Sequence, residues 1–83
     1  MKFKLNPNTY YKRYYTYGIF EYDITYTDKK YVYIIAEKEY DNPLNKFDKK
    51  FKWQSIKKEQ KYINTYNIKI EEMSKEDLFL ELL

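Results

Sequence analysis

The charged and aromatic residues of this chain could bind a partner, but few of its residues could catalyse a reaction. The 83 residues include neither histidine nor cysteine, which removes the usual neutral-pH base, the usual thiol nucleophile and the commonest transition-metal ligands. A single glycine excludes a glycine-rich phosphate loop. Both serines, Ser55 and Ser74, are placed to cap helices and have no histidine to activate them. The sequence therefore predicts a binding protein without enzyme activity and without a cofactor.

A basic segment with interleaved aromatic residues is one candidate binding site. Residues 46–69 hold eight lysines against two acidic residues. Nucleic acids are bound by cations that neutralise phosphates and by aromatic rings on which bases stack. Against this, Arg13 is the only arginine, although arginine leads specific base recognition, and on a strand Phe51 and Trp53 would point into the core. Nucleic-acid binding is the alternative hypothesis, at Lys49, Lys50, Lys52, Trp53, Lys57, Lys58 and Lys61.

Twelve tyrosines in one small domain are the other candidate feature. Tyrosine buries a large area at little entropic cost and is enriched at interface hot spots. Because so small a core cannot bury every ring, we expect exposed aromatic area. The leading hypothesis is a stoichiometric modulator or inhibitor of a protein partner, such as a phage or mobile-element protein that blocks a host enzyme. The predicted contact residues are Tyr10, Tyr11, Arg13, Tyr14, Tyr15 and Tyr17.

The acidic residues offer a third hypothesis, a carboxylate metal site. Glu37, Glu39 and Asp41 share one face of a continuing strand, and Glu21 and Asp23 lie on the strand predicted beside it. Clustered carboxylates bind Mg²⁺ or Ca²⁺. However, this spacing matches no ion-loop motif, and nearby lysines would partly neutralise the charge. No metal ligand is predicted.

A β-hairpin at 19–27 and 31–38 is the clearest predicted strand pair. Apolar and polar residues alternate along its first strand, a polar turn follows, and its second strand is apolar on both faces. With this turn Tyr26 is expected to face Tyr31, which gives one aromatic and aliphatic sheet surface.

The C-terminus carries the clearest helical signal. Ser74 is a good N-cap, and Asp77 lies three residues later. Leucines spaced four apart form an apolar face that must dock on the sheet, while Leu80 lies nearly opposite. The segment Leu78–Leu83 is therefore also a predicted homodimer contact.

The remaining segments complete one α+β domain over residues 1–83. A third strand is predicted at 64–72, and 47–63 predicts a short strand that runs into a short helix. Residues 8–18 fit a tyrosine-striped helix and a strand equally well. We expect an antiparallel sheet of three to four strands, a C-terminal helix packed on one face, and one or two more short helices. No window is apolar enough for a membrane span and no leader is evident, so we expect a cytoplasmic protein without a membrane partner.

Overall fold

The computed structural model describes residues 2–83, and within that range the chain forms one antiparallel sheet flanked by two helices. In chain order the elements are β1 (Tyr10–Tyr14), β2 (Phe20–Thr27), β3 (Tyr31–Glu39), β4 (Asn45–Ser55), α1 (Ile56–Tyr66), β5 (Ile70–Met73) and α2 (Lys75–Leu82). The five strands of the described chain lie in the order β4-β3-β2-β1-β5. The predicted α+β class, with an antiparallel sheet and a packed C-terminal helix, is confirmed. The sheet has five strands because residues 10–14 add one.

Residues 10–14 form β1 rather than the alternative tyrosine-striped helix. Tyr10 pairs with Tyr26 of β2, and Tyr11 pairs with Thr25. Neighbouring residues on a strand point to opposite faces, so Tyr11 enters one core while Tyr10 packs toward the other. Gly18 lies in the loop after β1 with a φ of +88°, a conformation that glycine adopts without a steric penalty.

The predicted β2–β3 hairpin is present, but its register differs from the expected one. Tyr26 pairs with Tyr33 instead of Tyr31. The cause lies in the turn, where the Asp28 carboxylate accepts the backbone N–H groups of Lys30 and Tyr31 at 2.7 and 2.6 Å. This side-chain-closed turn offsets the strands from the pairing that alternation alone predicts.

The predicted strand at 64–72 is correct only over its last part, where β5 begins at Ile70. Before it, α1 continues to Tyr66 and ends at Asn67. Asn67 has a φ of 53°, and asparagine tolerates this left-handed conformation at the end of a helix. The strand followed by a helix that was predicted within 47–63 is present as β4 and α1, and both elements are longer than expected.

Two apolar cores lie on opposite faces of the sheet, one under each helix. The buried residues of the core under α1 are Leu5, Tyr11, Val32 and Ile63. Those of the core under α2 are Tyr22, Ile24, Ala36 and Met73. The segment before β1 is tied to α1, because the backbone N–H groups of Phe3 and Leu5 donate to the side chains of Asn64 and Gln60. Both faces of the sheet are thus used for folding.

The C-terminal helix α2 begins at its predicted cap. The Ser74 hydroxyl accepts the backbone N–H three residues later at 3.0 Å. Leu78 and Leu82 pack against the core under α2. The other large apolar side chains of this segment are exposed: Phe79, Leu80 and Leu83. Because Leu78 and Leu82 already pack on the chain's own sheet, a homodimer contact within Leu78–Leu83 would use these exposed residues. That contact stays a prediction.

Candidate protein-binding surface

A buried ion network lies between the sheet and α1. Arg13 of β1 is paired in register with Asp23 of β2, and Glu59 comes from the first turn of α1. The Arg13 guanidinium donates to Asp23 at 2.6 Å and to Glu59 at 2.7 Å. Arg13 is 4% exposed, and Asp23 and Glu59 are each 1% exposed. Both carboxylates therefore depend on one guanidinium for their counter-charge.

Two further side chains complete the network. The Tyr15 hydroxyl accepts a hydrogen bond from Arg13 at 3.2 Å and donates one to Asp23. The Gln54 amide donates to the second carboxylate oxygen of Glu59 at 2.6 Å. Within the described chain, every buried side-chain nitrogen and oxygen has a hydrogen-bond partner. The network is therefore satisfied by the protein itself.

The pKa values of Arg13 and Tyr15 are both raised, for different reasons. Burial lowers the pKa of Arg13, but the charges of Asp23 and Glu59 and the hydrogen bond to Asp23 outweigh burial, so that the pKa of Arg13 rises. Burial, followed by the charge of Asp23, raises the pKa of Tyr15 to about 12. At neutral pH Arg13 is therefore a cation, and Tyr15 is an uncharged hydrogen-bond donor.

An aromatic surface lies over this network at one edge of the sheet. Phe51 and Trp53 of β4 are 56% and 47% exposed, and Tyr62 of α1 is 42% exposed. The ring of Tyr66 follows one helical turn later, with its centroid 5.1 Å from that of Tyr62. Together with Tyr15, these four residues are called the aromatic surface below. Its members come from three separate parts of the chain that the fold brings together.

The exposure of Phe51 and Trp53 follows from the position of β4. It is an edge strand, so β3 is its only partner in the sheet, and the pairing shifts in register at Trp53. Such a shift is a β-bulge, which redirects a side chain. The Cζ of Arg13 lies 5.7 Å from the centroid of the Trp53 ring. The expectation that both rings point into the core is wrong, because Trp53 lies over the charged network and Phe51 is more than half exposed.

A small pocket opens at the centre of the aromatic surface. It encloses about 170 Å³. Arg13 lies at its inner end, with its Cζ 5.6 Å from the centroid of the Tyr15 ring. The pocket is lined by Arg13, Tyr14, Tyr15, Trp53, Tyr62 and Ile68. The aromatic surface is thus concave at the point where its rings meet the buried network.

The structure exposes every residue of the predicted nucleic-acid site. Three of the lysines belong to β4 together with Trp53, and three lie on α1. Lys50 and Lys52 lie over the rings of Tyr26 and Tyr31, at 4.1 and 3.6 Å from the ring centroids. The exposed members are Lys49, Lys50, Lys52, Trp53, Lys57, Lys58 and Lys61. These residues form a basic border around the aromatic surface and along β4.

The six residues predicted to contact a protein partner do not form one surface. Tyr11 and Arg13 are buried and offer nothing to a partner, because β1 is an interior strand between β2 and β5. Tyr15 lines the pocket, and Tyr17 is 89% exposed in the loop after β1. The other two pack partly against the core under α2: Tyr10 and Tyr14. Partner binding at the four residues of the set that are not buried stays a prediction: Tyr10, Tyr14, Tyr15 and Tyr17.

Four rings of the aromatic surface were absent from the predicted protein contacts, and of these only Trp53 belonged to the predicted nucleic-acid site: Phe51, Trp53, Tyr62 and Tyr66. A signal for the two tyrosines exists in the sequence, since their four-residue spacing puts them on one side of a helix. The inward side of that helix is marked by Ile56, Glu59 and Ile63 at helical spacing. The predicted strand at 64–72 hid this signal, because it placed Tyr66 on a strand and separated it from Tyr62, whereas α1 continues to Tyr66.

The acidic residues do not assemble into a metal site. Among residues 2–83, no three potential ligands are placed to hold a metal ion together. Asp23 is engaged by Arg13, and its cross-strand neighbour is Glu37. Burial, followed by the charge of Glu39, raises the pKa of Glu37. The raised pKa shows that these carboxylates repel one another, and they do not converge on a position that a metal ion could occupy.

Comparisons with protein-family models, with curated proteins and with solved structures found no match to this chain. Neither helix in the described part of the chain is long and apolar enough to cross a membrane. Function must therefore be inferred from the aromatic surface, its pocket and the charges around them.

Proposed function

We propose that this protein is a non-enzymatic binding protein that acts stoichiometrically, as a modulator or inhibitor, on a protein partner. The observation that carries the proposal is the pair of half-exposed rings on one ordered strand, Phe51 and Trp53, of which Trp53 lines the same pocket as Tyr62 of α1. Monomeric soluble proteins rarely expose contiguous large aromatic area without a binding role. Tryptophan and tyrosine are also among the residues most enriched at interface hot spots.

The aromatic surface is held in place before a partner arrives. The Tyr15 hydroxyl makes two hydrogen bonds to the buried network, and Trp53 covers the guanidinium of Arg13. Binding usually immobilises side chains, at a cost of about 0.5–1.5 kcal/mol for each one that was free to move. Because the network already restrains these rings, more of their contact energy remains available as affinity.

The charge around the aromatic surface defines the partner's chemistry. Lys49 lines a groove with Phe51, and Lys58 lines a depression with Trp53. Glu59, the acidic residue of α1, is buried against Arg13. In the groove beside Phe51, Glu37 is outnumbered by Lys49 and Lys50, so the balance of charge around the surface is positive. Electrostatic complementarity steers association and selects partners. The proposed partner therefore presents acidic groups around an apolar centre.

Comparative pull-down from a lysate of the source or its host, read by quantitative mass spectrometry, tests this proposal. Phe51→Ala and Trp53→Ala each remove a ring from the aromatic surface. We expect each to lower retention of a specific protein at least about tenfold, since truncation of a hot spot costs about 2 kcal/mol or more.

Phe79→Ala is the matched control for this pull-down. Phe79 is also a highly exposed ring, but it lies on α2, on the other face of the sheet. Retention of the same protein should be unchanged by this substitution. The proposal is overturned if no retained protein responds to Phe51→Ala or Trp53→Ala, or if Phe79→Ala removes it equally.

Nucleic-acid binding is the second candidate function, favoured by one specific observation. Phe51 and Trp53 lie at the surface beside exposed lysines, so the argument that these rings belong to the core no longer opposes it. Single-stranded nucleic acids bind to this combination of cations and stacking rings. Fluorescence anisotropy with labelled oligonucleotides, at about 50 and then about 200 mM salt, distinguishes the two functions. Tight binding that collapses at the higher salt would replace the protein-partner proposal.

A further inference from the structure

The pocket at the centre of the aromatic surface has the dimensions of one aromatic ring. Its volume is about 170 Å³, and an apolar cavity of roughly 150 Å³ is large enough to bind benzene. We infer that this pocket receives one uncharged aromatic side chain, phenylalanine or tyrosine, of the partner protein. This inference rests on the proposed function and specifies how the partner is anchored.

The walls of the pocket come from four parts of the chain. Tyr15 follows β1, Trp53 lies on β4, Tyr62 lies on α1, and Ile68 precedes β5. Aromatic rings attract one another in offset and edge-to-face arrangements. An aromatic ring bound between these walls would contact the rings of Tyr15, Trp53 and Tyr62. An aliphatic occupant would not gain these ring-to-ring interactions.

The inner end of the pocket determines the charge of its occupant. Of the three charged groups in the network only Arg13 lines the pocket, while Asp23 and Glu59 lie behind it, so an occupant meets the guanidinium first. This group attracts the face of an aromatic ring but repels a cationic side chain. An anionic side chain would find the donors of Arg13 already engaged by Asp23, Glu59 and Tyr15. It would also meet two buried carboxylates against a single guanidinium. An uncharged ring avoids both kinds of repulsion.

A nucleobase is also an uncharged ring, but its edge carries nitrogen and oxygen atoms that need hydrogen-bond partners. The polar groups at the inner end of this pocket are Arg13 and the hydroxyl of Tyr15, and both are engaged by the buried network. A base edge buried there would lose its bonds to water without replacing them, which is unfavourable. A phenylalanine ring carries no such atom and a tyrosine ring carries a single hydroxyl, so either ring loses fewer hydrogen bonds to water than a base edge with several nitrogen and oxygen atoms.

Titration of the full chain with p-cresol, the side-chain analogue of tyrosine, tests this inference. Trp53 is the only tryptophan, so its indole N–H gives a unique signal in a ¹H–¹⁵N spectrum and reports on the pocket wall. We expect a saturable shift with a Kd of roughly 1 mM, typical of a fragment with so few atoms. Methylguanidinium and acetate, as cationic and anionic probes, should leave the signal unmoved at the same concentrations.

Substitutions at two neighbouring tyrosines separate the pocket from the surrounding surface. Tyr62→Ala removes one wall and should weaken p-cresol binding at least about tenfold, as the loss of a hot-spot ring does. Tyr62→Phe keeps the ring and should bind p-cresol like the wild type. Tyr66→Ala is the matched control, because Tyr66 stacks on Tyr62 and is 67% exposed but does not line the pocket.

The outcomes separate this inference from the proposed function. Absence of a saturable shift, or an equal response in Tyr62→Ala, overturns the pocket assignment. Tighter binding of adenosine than of p-cresol at the same indole signal overturns it in favour of a nucleobase. If retention of a protein partner depends on Phe51 but not on Tyr62, the protein-binding surface stands and the pocket occupant does not.

Discussion

The two faces of the sheet are stabilised by different chemistry. Under α1, Arg13 and its two carboxylate partners, Asp23 and Glu59, are buried as ions. Under α2 the buried residues are apolar, and an ion pair on that face, Lys12 with Glu81 at 3.5 Å, is partly exposed. The polar face is also the one that carries the aromatic surface. Hydrogen bonds to the buried network restrain the orientation of the Tyr15 ring, so under the proposed function the buried charges would position the aromatic surface as well as stabilise the fold.

The two helices differ in the same way. α1 buries Glu59 and Ile63 against the sheet, whereas α2 has no fully buried residue. Both helices cover a core, but only α1 contributes fully buried side chains to the core that it covers. Local opening requires less free energy where few contacts are buried. We therefore expect the α1 face to unfold only with the whole domain and α2 to open separately.

Substitution of Arg13 by methionine is expected to have the largest effect. It keeps much of the side-chain volume but leaves Asp23 and Glu59 buried without a counter-charge, which costs about 3–5 kcal/mol. The adjacent residue supplies a matched control on the opposite face. Lys12→Met removes the partly exposed pair with Glu81, and pairs of that kind contribute about 0–1 kcal/mol.

Urea unfolding followed by circular dichroism measures both substitutions. An Arg13→Met protein that is unfolded in the absence of urea agrees with the prediction, because the loss is comparable to the total stability of so small a domain. Equal losses for Arg13→Met and Lys12→Met would show that the two faces do not differ in this respect. Glu59→Gln removes one negative charge and keeps one of the two acceptor oxygens, which can still accept from Arg13, so its loss of stability should fall between the two.

The alkaline limit of stability should depend on Tyr15. Its pKa is raised from 10.0 to about 12 by burial and by Asp23. Below about pH 10 the phenol is protonated in the folded and unfolded chains alike, and its contribution is complete. As the pH rises from about 10 toward 12, the unfolded chain loses this proton first, so that the free energy of unfolding decreases.

Tyr15→Phe tests this pH dependence. At neutral pH the variant removes a donor from Asp23 and an acceptor from Arg13, which should lower the free energy of unfolding by about 1–3 kcal/mol. The difference from the wild type should shrink as unfolding is measured at higher pH. Tyr17→Phe, an exposed position in the same loop, should behave like the wild type. A constant difference across the alkaline range would contradict the raised pKa.

The elements with local signals are the ones that could be predicted from the sequence. The β2–β3 hairpin follows from alternation, and α2 follows from Ser74 and the residues after it. Both Ser55 and Ser74 are helix caps, as predicted. These features depend on contacts within a few residues, which a single sequence displays directly.

The candidate site could not be predicted in this way, because it depends on contacts between distant residues. Arg13 meets Glu59, 46 residues later, only because α1 crosses the face of the sheet on which β1 lies. Trp53 is exposed because β4 is an edge strand with a bulge. The alternation of residues along a strand does not reveal the position of that strand in the sheet. The same lysine-aromatic alternation would have buried Phe51 and Trp53 in an interior strand.

The smallest expected effect compares the two helix caps. In each helix a serine hydroxyl accepts one backbone N–H, at 3.2 Å for Ser55 and at 3.0 Å for Ser74. Replacing such a cap by alanine usually costs about 1 kcal/mol of helix stability. For Ser55→Ala this loss should appear in global unfolding by urea, since α1 carries Glu59 into the core. For Ser74→Ala it should appear instead as faster amide hydrogen exchange confined to α2, with global unfolding changed by only about a few tenths of a kcal/mol. Equal losses of global stability in both variants would mean that α2 opens only with the whole domain, and the proposed difference between the two helices would then be wrong.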